Sequence, residues 1–130
     1  MKNTAWQVAA SYFLTGEDAA YNSITPRSNF ALGSASPINN MGAWEIAARY
    51  QQLNIDDAAF TGGSASLANP ATAVTAASGY GVAINWYLNQ NLRWTLEYDH
   101  TDFEGGAGTA VNVTDRQDEN AIVTRFALGF

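Results

Sequence analysis

Asn120-Ala121-Ile122-Val123-Thr124-Arg125-Phe126-Ala127-Leu128-Gly129-Phe130 is the stretch that decides the fold. Ile122, Phe126, Leu128 and Phe130 fall on one side at period two, and Ala121, Val123, Arg125, Ala127 and Gly129 on the other. Successive side chains of a strand point to opposite faces, so this is a strand with one apolar side. It ends on a large aromatic residue. Chain ends are usually mobile and wet, which makes such an end a liability in water. At the boundary of a lipid-embedded barrel the same ring is well placed.

Four earlier stretches repeat the pattern. Residues 5–15 set Trp6, Val8, Ala10, Tyr12 and Leu14 against Gln7, Ala9, Ser11 and Thr15, with Phe13 the exception on the polar side. Residues 43–53 set Trp44, Ile46, Ala48 and Tyr50 against Glu45, Ala47, Arg49 and Gln51. Residues 79–88 place Tyr80, Val82, Ile84, Trp86 and Leu88 opposite Gly81, Ala83, Asn85 and Tyr87. Residues 92–103 place Leu92, Trp94, Leu96 and Tyr98 opposite Arg93, Thr95, Glu97, Asp99 and Thr101. In every case the apolar set is even-numbered, and a one-residue slip would invert each face. Asn89-Gln90-Asn91 reads as a tight hairpin connection. The segments 16–42, 54–77 and 104–119 read as long polar connections, the first with room for a short extra strand at 30–32. No helical stretch is convincing. The expected fold is an all-β antiparallel meander of about five long strands.

Composition narrows the class. Charged residues make up 14% of the 130-residue chain, against the roughly 25% of an average globular domain. The net charge is −6 and Lys2 is the sole lysine, which argues against a nucleic-acid partner. The absence of cysteine excludes a disulfide framework and thiolate metal sites. No run reaches the roughly 18–20 apolar residues of a membrane helix. Residues 1–4 lead straight into strand-like sequence with no export signal, so the chain is expected to be a piece of a longer one.

Alternation fits a soluble sandwich as well as a membrane barrel, and three features favour the barrel. The strands exceed the usual ~5–6 residues and match the ~9–11 that cross a bilayer at a tilt. One tight turn stands beside two long loops, the habit of outer-membrane barrels. The aromatics are placed: Trp6 and Tyr12, Trp44 and Tyr50, and Tyr80 and Trp86 are six positions apart on the apolar face. With the last strand running down to the periplasm, Tyr12, Trp44, Trp86, Trp94 and Phe130 fall near the lower rim. Trp6, Tyr50, Tyr80 and Tyr98 fall towards the upper one. Amphipathic rings settle at membrane interfaces, so these are the expected interface aromatics. The same order makes 16–42 a periplasmic connection, where short turns are the rule; a hidden strand pair or an inward-folded segment would each account for it.

Ser11-Tyr12-Phe13-Leu14-Thr15-Gly16-Glu17, then Gly42-Ala43-Trp44-Glu45-Ile46-Ala47-Ala48-Arg49-Tyr50, then Asn85-Trp86-Tyr87-Leu88-Asn89, ending in Phe130, resemble the C-terminal portion of the phosphate-selective porin O/P family of Gram-negative bacteria. The resemblance implies a homotrimer of barrels of about sixteen strands in the outer membrane, with residues 1–130 supplying the final strands as a single segment. It implies lipid bilayer and lipopolysaccharide as surroundings, and the remaining barrel strands or other copies as partners. Phe130 matches the C-terminal aromatic that serves such porins as an assembly signal. The implied activity is passive diffusion of small hydrophilic solutes, including anions such as phosphate. The alternatives are a soluble β-sandwich that binds carbohydrate on its tryptophans, and a structural or adhesive outer-membrane barrel.

No catalytic set and no cofactor are expected. His100, beside Asp99 and Asp102, is expected to be a plain surface histidine, and Asp56, Asp57, Asp115, Asp118 and Glu119 solvated loop charge, because dedicated calcium-loop spacing is missing. No metal site is therefore expected. Function should lie on the polar strand face, where Glu45, Arg49, Asn85, Arg93, Glu97, Asp99 and Arg125 would line a water-filled lumen. Arginine rings select anions and carboxylate rings cations. Arg49, Arg93 and Arg125 are balanced here by Glu45, Glu97 and Asp99, so bracing of the wall is expected before anion selection, although Arg93 and Arg125 could meet one anion together. General small-solute diffusion is a safer expectation than phosphate specificity.

Overall fold

The computed structural model describes residues 2–20, 24–32, 40–69, 71–109 and 112–129. Five strands follow in sequence: β1 (Thr4–Phe13), β2 (Ala43–Asn54), β3 (Val74–Asn89), β4 (Leu92–Gly105) and β5 (Glu119–Leu128). They form one antiparallel sheet in the order β1-β2-β3-β4-β5, the expected meander, with β1 and β5 as its edges. A sandwich needs a second layer, and these strands make a single sheet.

The long alternating runs form strands because each presents one face able to do without water. The β3–β4 connection is as tight as its sequence implies. The Asn89 side-chain oxygen accepts from the Asn91 and Leu92 backbone N–H groups at 2.8 and 2.9 Å, so the asparagine builds the turn from its own side chain.

Two connections are more ordered than their composition implies. β3 begins five residues before Gly79, because Ala and Ser at 76–78 continue the ladder where a loop was expected. The remainder of that loop contains two single-turn 3-10 helices, Asp57–Ala59 and Gly63–Ala65, and the Asp56 carboxylate caps the first at the Ala58 N–H, 2.9 Å away. The 104–119 connection is drawn together by bridges between Gly106 and Asp115 and between Thr109 and Asn112, so it extends its hairpin. Within 16–42, the expected short strand at 30–32 does not form. The Phe30 N–H donates to the Leu88 carbonyl at 2.7 Å, and its ring meets Trp86 edge-on at 4.9 Å.

The chain divides into two compact units, to each of which every strand contributes a stretch: Met1–Val8, Arg49–Gly81 and Asp99–Ala121 in the first, and Ala9–Ala48, Val82–Tyr98 and Ile122–Phe130 in the second. The second holds the principal apolar cluster, in which Phe13, Ile24 and Ala43 are buried and Tyr87 packs against them. All three strand members are odd-numbered. Phe13 can therefore sit on the polar side because Ile24, from the 16–42 connection, covers it. Gly42 belongs to the same corner. Its φ is +72°, and a Cβ there would stand 2.2 Å from the Tyr87 carbonyl oxygen, so only glycine fits.

The chain exposes 8991 Å², whereas a soluble monomer of its mass would expose about 6,700 Å². Apolar residues of the edge strands share in this exposure: Val8, Tyr12, Ile122, Phe126 and Leu128 are each more than half exposed. At about 25 cal/mol per Å², such area is costly to leave in water.

Candidate pore wall and membrane face

In the first unit, the even-numbered face pairs Trp6 with Tyr50, ring centroids 5.3 Å apart, and Tyr80 with His100 at 5.1 Å. The Trp6 indole N–H donates to Gln52 at 3.2 Å, which satisfies its one polar atom. In the second unit the even face carries a chain of rings. Trp44 stacks on Trp86 at 5.1 Å, Trp86 meets Trp94 edge-on at 6.5 Å, and Trp94 lies 6.4 Å from Phe126. The Trp86 indole donates to the Met41 carbonyl at 2.6 Å, and that of Trp94 to Thr124 at 2.8 Å. Trp6, Trp86 and Trp94 thus keep an apolar body outward and the N–H tied to the protein. Tyr98 lines an apolar trough with Ile46, Val82, Ile84 and Leu96, and Tyr12 is exposed. Of the expected interface aromatics, the structure brings Trp44, Trp86 and Trp94 together, and separately Trp6 and Tyr50. Phe130 lies outside the described residues.

The odd-numbered face is polar and knitted across β3. In the first unit, Arg49 on β2 and Asp99 on β4 join at 2.7 Å over the intervening strand. The crossing is possible because the residue below them is Gly81: a Cβ there would stand 2.4 Å from the Asp99 carboxylate oxygen and 3.1 Å from Arg49 Nε. At Gly79 an added Cβ would stand 3.0 Å from the His100 carbonyl oxygen, 3.2 Å from the Thr101 hydroxyl and 3.6 Å from the Gln51 amide. Two glycines in a strand interior weaken it intrinsically, and close approach of neighbouring groups is a recognised reason for them.

In the second unit the knot is centred on Glu45. One carboxylate oxygen accepts from the Asn85 amide at 3.1 Å and from the Tyr87 hydroxyl at 2.8 Å. Asn85 in turn accepts from the Thr95 hydroxyl at 2.7 Å, and the Arg93 guanidinium lies 5.7 Å from the Tyr87 ring centre. Four of the seven expected lumen residues, Glu45, Asn85, Arg49 and Asp99, are thus engaged in cross-strand hydrogen bonds. Glu97 is half-buried on the same face, and Arg125, on the edge strand β5, is exposed. Sequence reasoning missed Tyr87 as a member of the Glu45 network and Gly81 as the gap beneath the Arg49–Asp99 pair. The signal for Gly81 was in view: a glycine inside a strong strand, with an arginine and a carboxylate at odd positions on either side.

The arrangement supplies charge and hydrogen bonds along the odd-numbered face. No curated protein and no solved structure matches the chain. A family model described as phosphate-selective porin O and P matches residues 1–130, the whole length given. With its apolar and polar faces separated along five antiparallel strands, the chain belongs to the phosphate-selective porin O and P family of channel proteins.

Proposed function

We propose that residues 1–130 form a segment of the wall of a water-filled outer-membrane channel in a Gram-negative bacterium, which passes small hydrophilic solutes by diffusion. The even face meets lipid and the odd face the lumen. The observation that carries this reading is the division between an exposed aromatic and aliphatic even face and a hydrogen-bonded polar odd face. Trp6, Tyr12, Trp44, Tyr50, Tyr80, Trp86, Trp94 and Tyr98 then act as interface anchors. The edges of β1 and β5 need partners, which the other strands of a longer barrel supply. The complete protein, on this reading, is a trimer surrounded by lipopolysaccharide, with Phe130 as its assembly signal, and it performs no enzymatic step.

Selectivity follows from which charges are already spent. Arg49 is matched by Asp99, and Glu45 is held by Asn85 and Tyr87. Those neutral partners leave the Glu45 charge in place, and with Glu97 it balances Arg93 and Arg125, which supports general diffusion of small solutes and not a phosphate-specific site.

The chain has no cysteine, so single cysteines report each face directly. In the full protein in intact outer membranes, Ala83→Cys and Asn85→Cys should react with a membrane-impermeant maleimide, and Val82→Cys and Ile84→Cys should not. Equal labelling of the two sets would refute the assignment of faces.

A further inference from the structure

We propose that His100, Asp102 and Asp118 form a binding site for one divalent transition-metal cation of the zinc class. This goes beyond the channel reading and places the site on the even-numbered face, at the loop end of β4 and the start of β5. His100 and Asp102 are two apart on β4 and so project from the same face. Asp118 stands directly before β5, and its next-but-one neighbour, Asn120, meets the histidine from that strand. One ligand atom from each of the three residues lies within 4.8 Å of the other two.

The histidine is oriented as a ligand would be. Its Nδ1 lies 2.8 Å from the Asn120 side-chain oxygen, a partner outside the three, so the Nδ1–H donates there. An outer acceptor of this kind fixes the tautomer of metal-binding histidines and leaves Nε2 with the lone pair. Nε2 stands 3.1 Å from an Asp102 oxygen. A lone pair facing a carboxylate at that distance is repulsive unless a cation, proton or metal, joins the two. Ligands held about 2.0–2.2 Å from an ion are separated by roughly 3.0–3.5 Å, so the His100–Asp102 edge already has the spacing of a coordinated pair. Asp118, whose ligand oxygen lies within 4.8 Å of the other two, supplies the third ligand of the set.

The surroundings hold this geometry. The Tyr80 ring, 5.1 Å away, packs against the imidazole and restricts its plane. Arg116, two residues from Asp118, is drawn to Glu119 and lies over the Phe103 ring at 5.2 Å. One imidazole and two carboxylates suit zinc and its neighbours better than calcium, which prefers six to eight oxygens. Three protein ligands leave a further position to water or an anion. A bound ion would fasten β4 to the beginning of β5.

His100 is the chain's one histidine, so its ring nitrogens can be followed without ambiguity by NMR in the full protein, purified untagged and stripped with chelator (other histidines of a longer chain are removed by assignment with His100→Gln). Addition of Zn²⁺ should shift the Nε2 resonance while Nδ1 stays protonated, saturating at one ion per chain. Cobalt should bind with visible absorption bands, and His100→Gln and Asp118→Asn should each weaken it at least ten-fold. Glu119→Gln should leave the affinity unchanged. A zinc titration that moves neither ring nitrogen, or that moves Nδ1 instead, overturns the proposal, as does cobalt affinity equal to the parent's in both ligand variants.

Discussion

Gly81→Ala should uncouple Arg49 from Asp99 with little change in overall stability. The new Cβ would stand 2.4 Å from the Asp99 oxygen and 3.1 Å from Arg49 Nε. Carbon–oxygen contacts settle at about 3.3–3.6 Å, so the carboxylate must withdraw by about 1 Å. That lengthens a 2.7 Å bond past the limit at which it still counts as one. A hydrogen bond between charged groups contributes about 1.5–3 kcal/mol where water is excluded. Here the arginine side chain is 40% exposed and the aspartate 23%, and screening reduces the pair to about 1 kcal/mol. Against this, alanine restricts the unfolded chain and stabilises by about 0.4–1 kcal/mol. The two effects nearly cancel, so stability alone would mislead. A double-mutant cycle with Arg49→Met and Asp99→Asn isolates the pair. Performed by urea unfolding of the full protein in lipid vesicles, it should give a coupling of about 1 kcal/mol with Gly81 in place and about 0.3 kcal/mol or less in the Gly81→Ala background. An equal coupling in the two backgrounds would refute the view that β3 is hollowed at this residue to let its neighbours meet.

Two further outcomes follow from the same geometry. Tyr87→Phe deletes the hydroxyl that donates to Glu45 and should cost about 1 kcal/mol in the same unfolding assay, while Glu45→Gln in that background should cost less than it does alone. Asp56 is held below the usual carboxylate range by the Ala58 and Lys2 backbone N–H groups. Its folded pKa is depressed, so the contribution of this cap is present above the unfolded carboxylate value and is lost as pH falls through the folded one. Hydrogen-exchange protection at Ala58 should therefore decline only at acid pH, and Asp56→Asn should flatten that dependence.

The meander was legible in the sequence because period-two patterning is local and repeated five times. A strand with one apolar face has few other stable forms. The tight turn at Asn89 was legible for a similar reason, since an asparagine side chain closes its own turn within three residues. The aromatic positions could be sorted by face from parity alone. Their partners could not: Trp44 and Trp86 stack only because β2 and β3 align in one particular register. The 54–77 and 104–119 connections were read as loops from their Gly, Ser and Ala content. Composition does not show that Ala76 will be buried or that Asp115 will bridge back to Gly106.

By itself, then, the alternation determined the fold class, the identity of the two faces and the poverty of charge. Each is a property of residues close together in the chain. Cross-strand register decided the rest. It set Arg49 and Asp99 over a glycine, made Glu45 the centre of a polar knot, and covered Phe13 with Ile24. It also brought Asp118 to His100 across an intervening loop. Those contacts join residues up to fifty positions apart, and their energies depend on distances of an ångström or less, which no local pattern encodes.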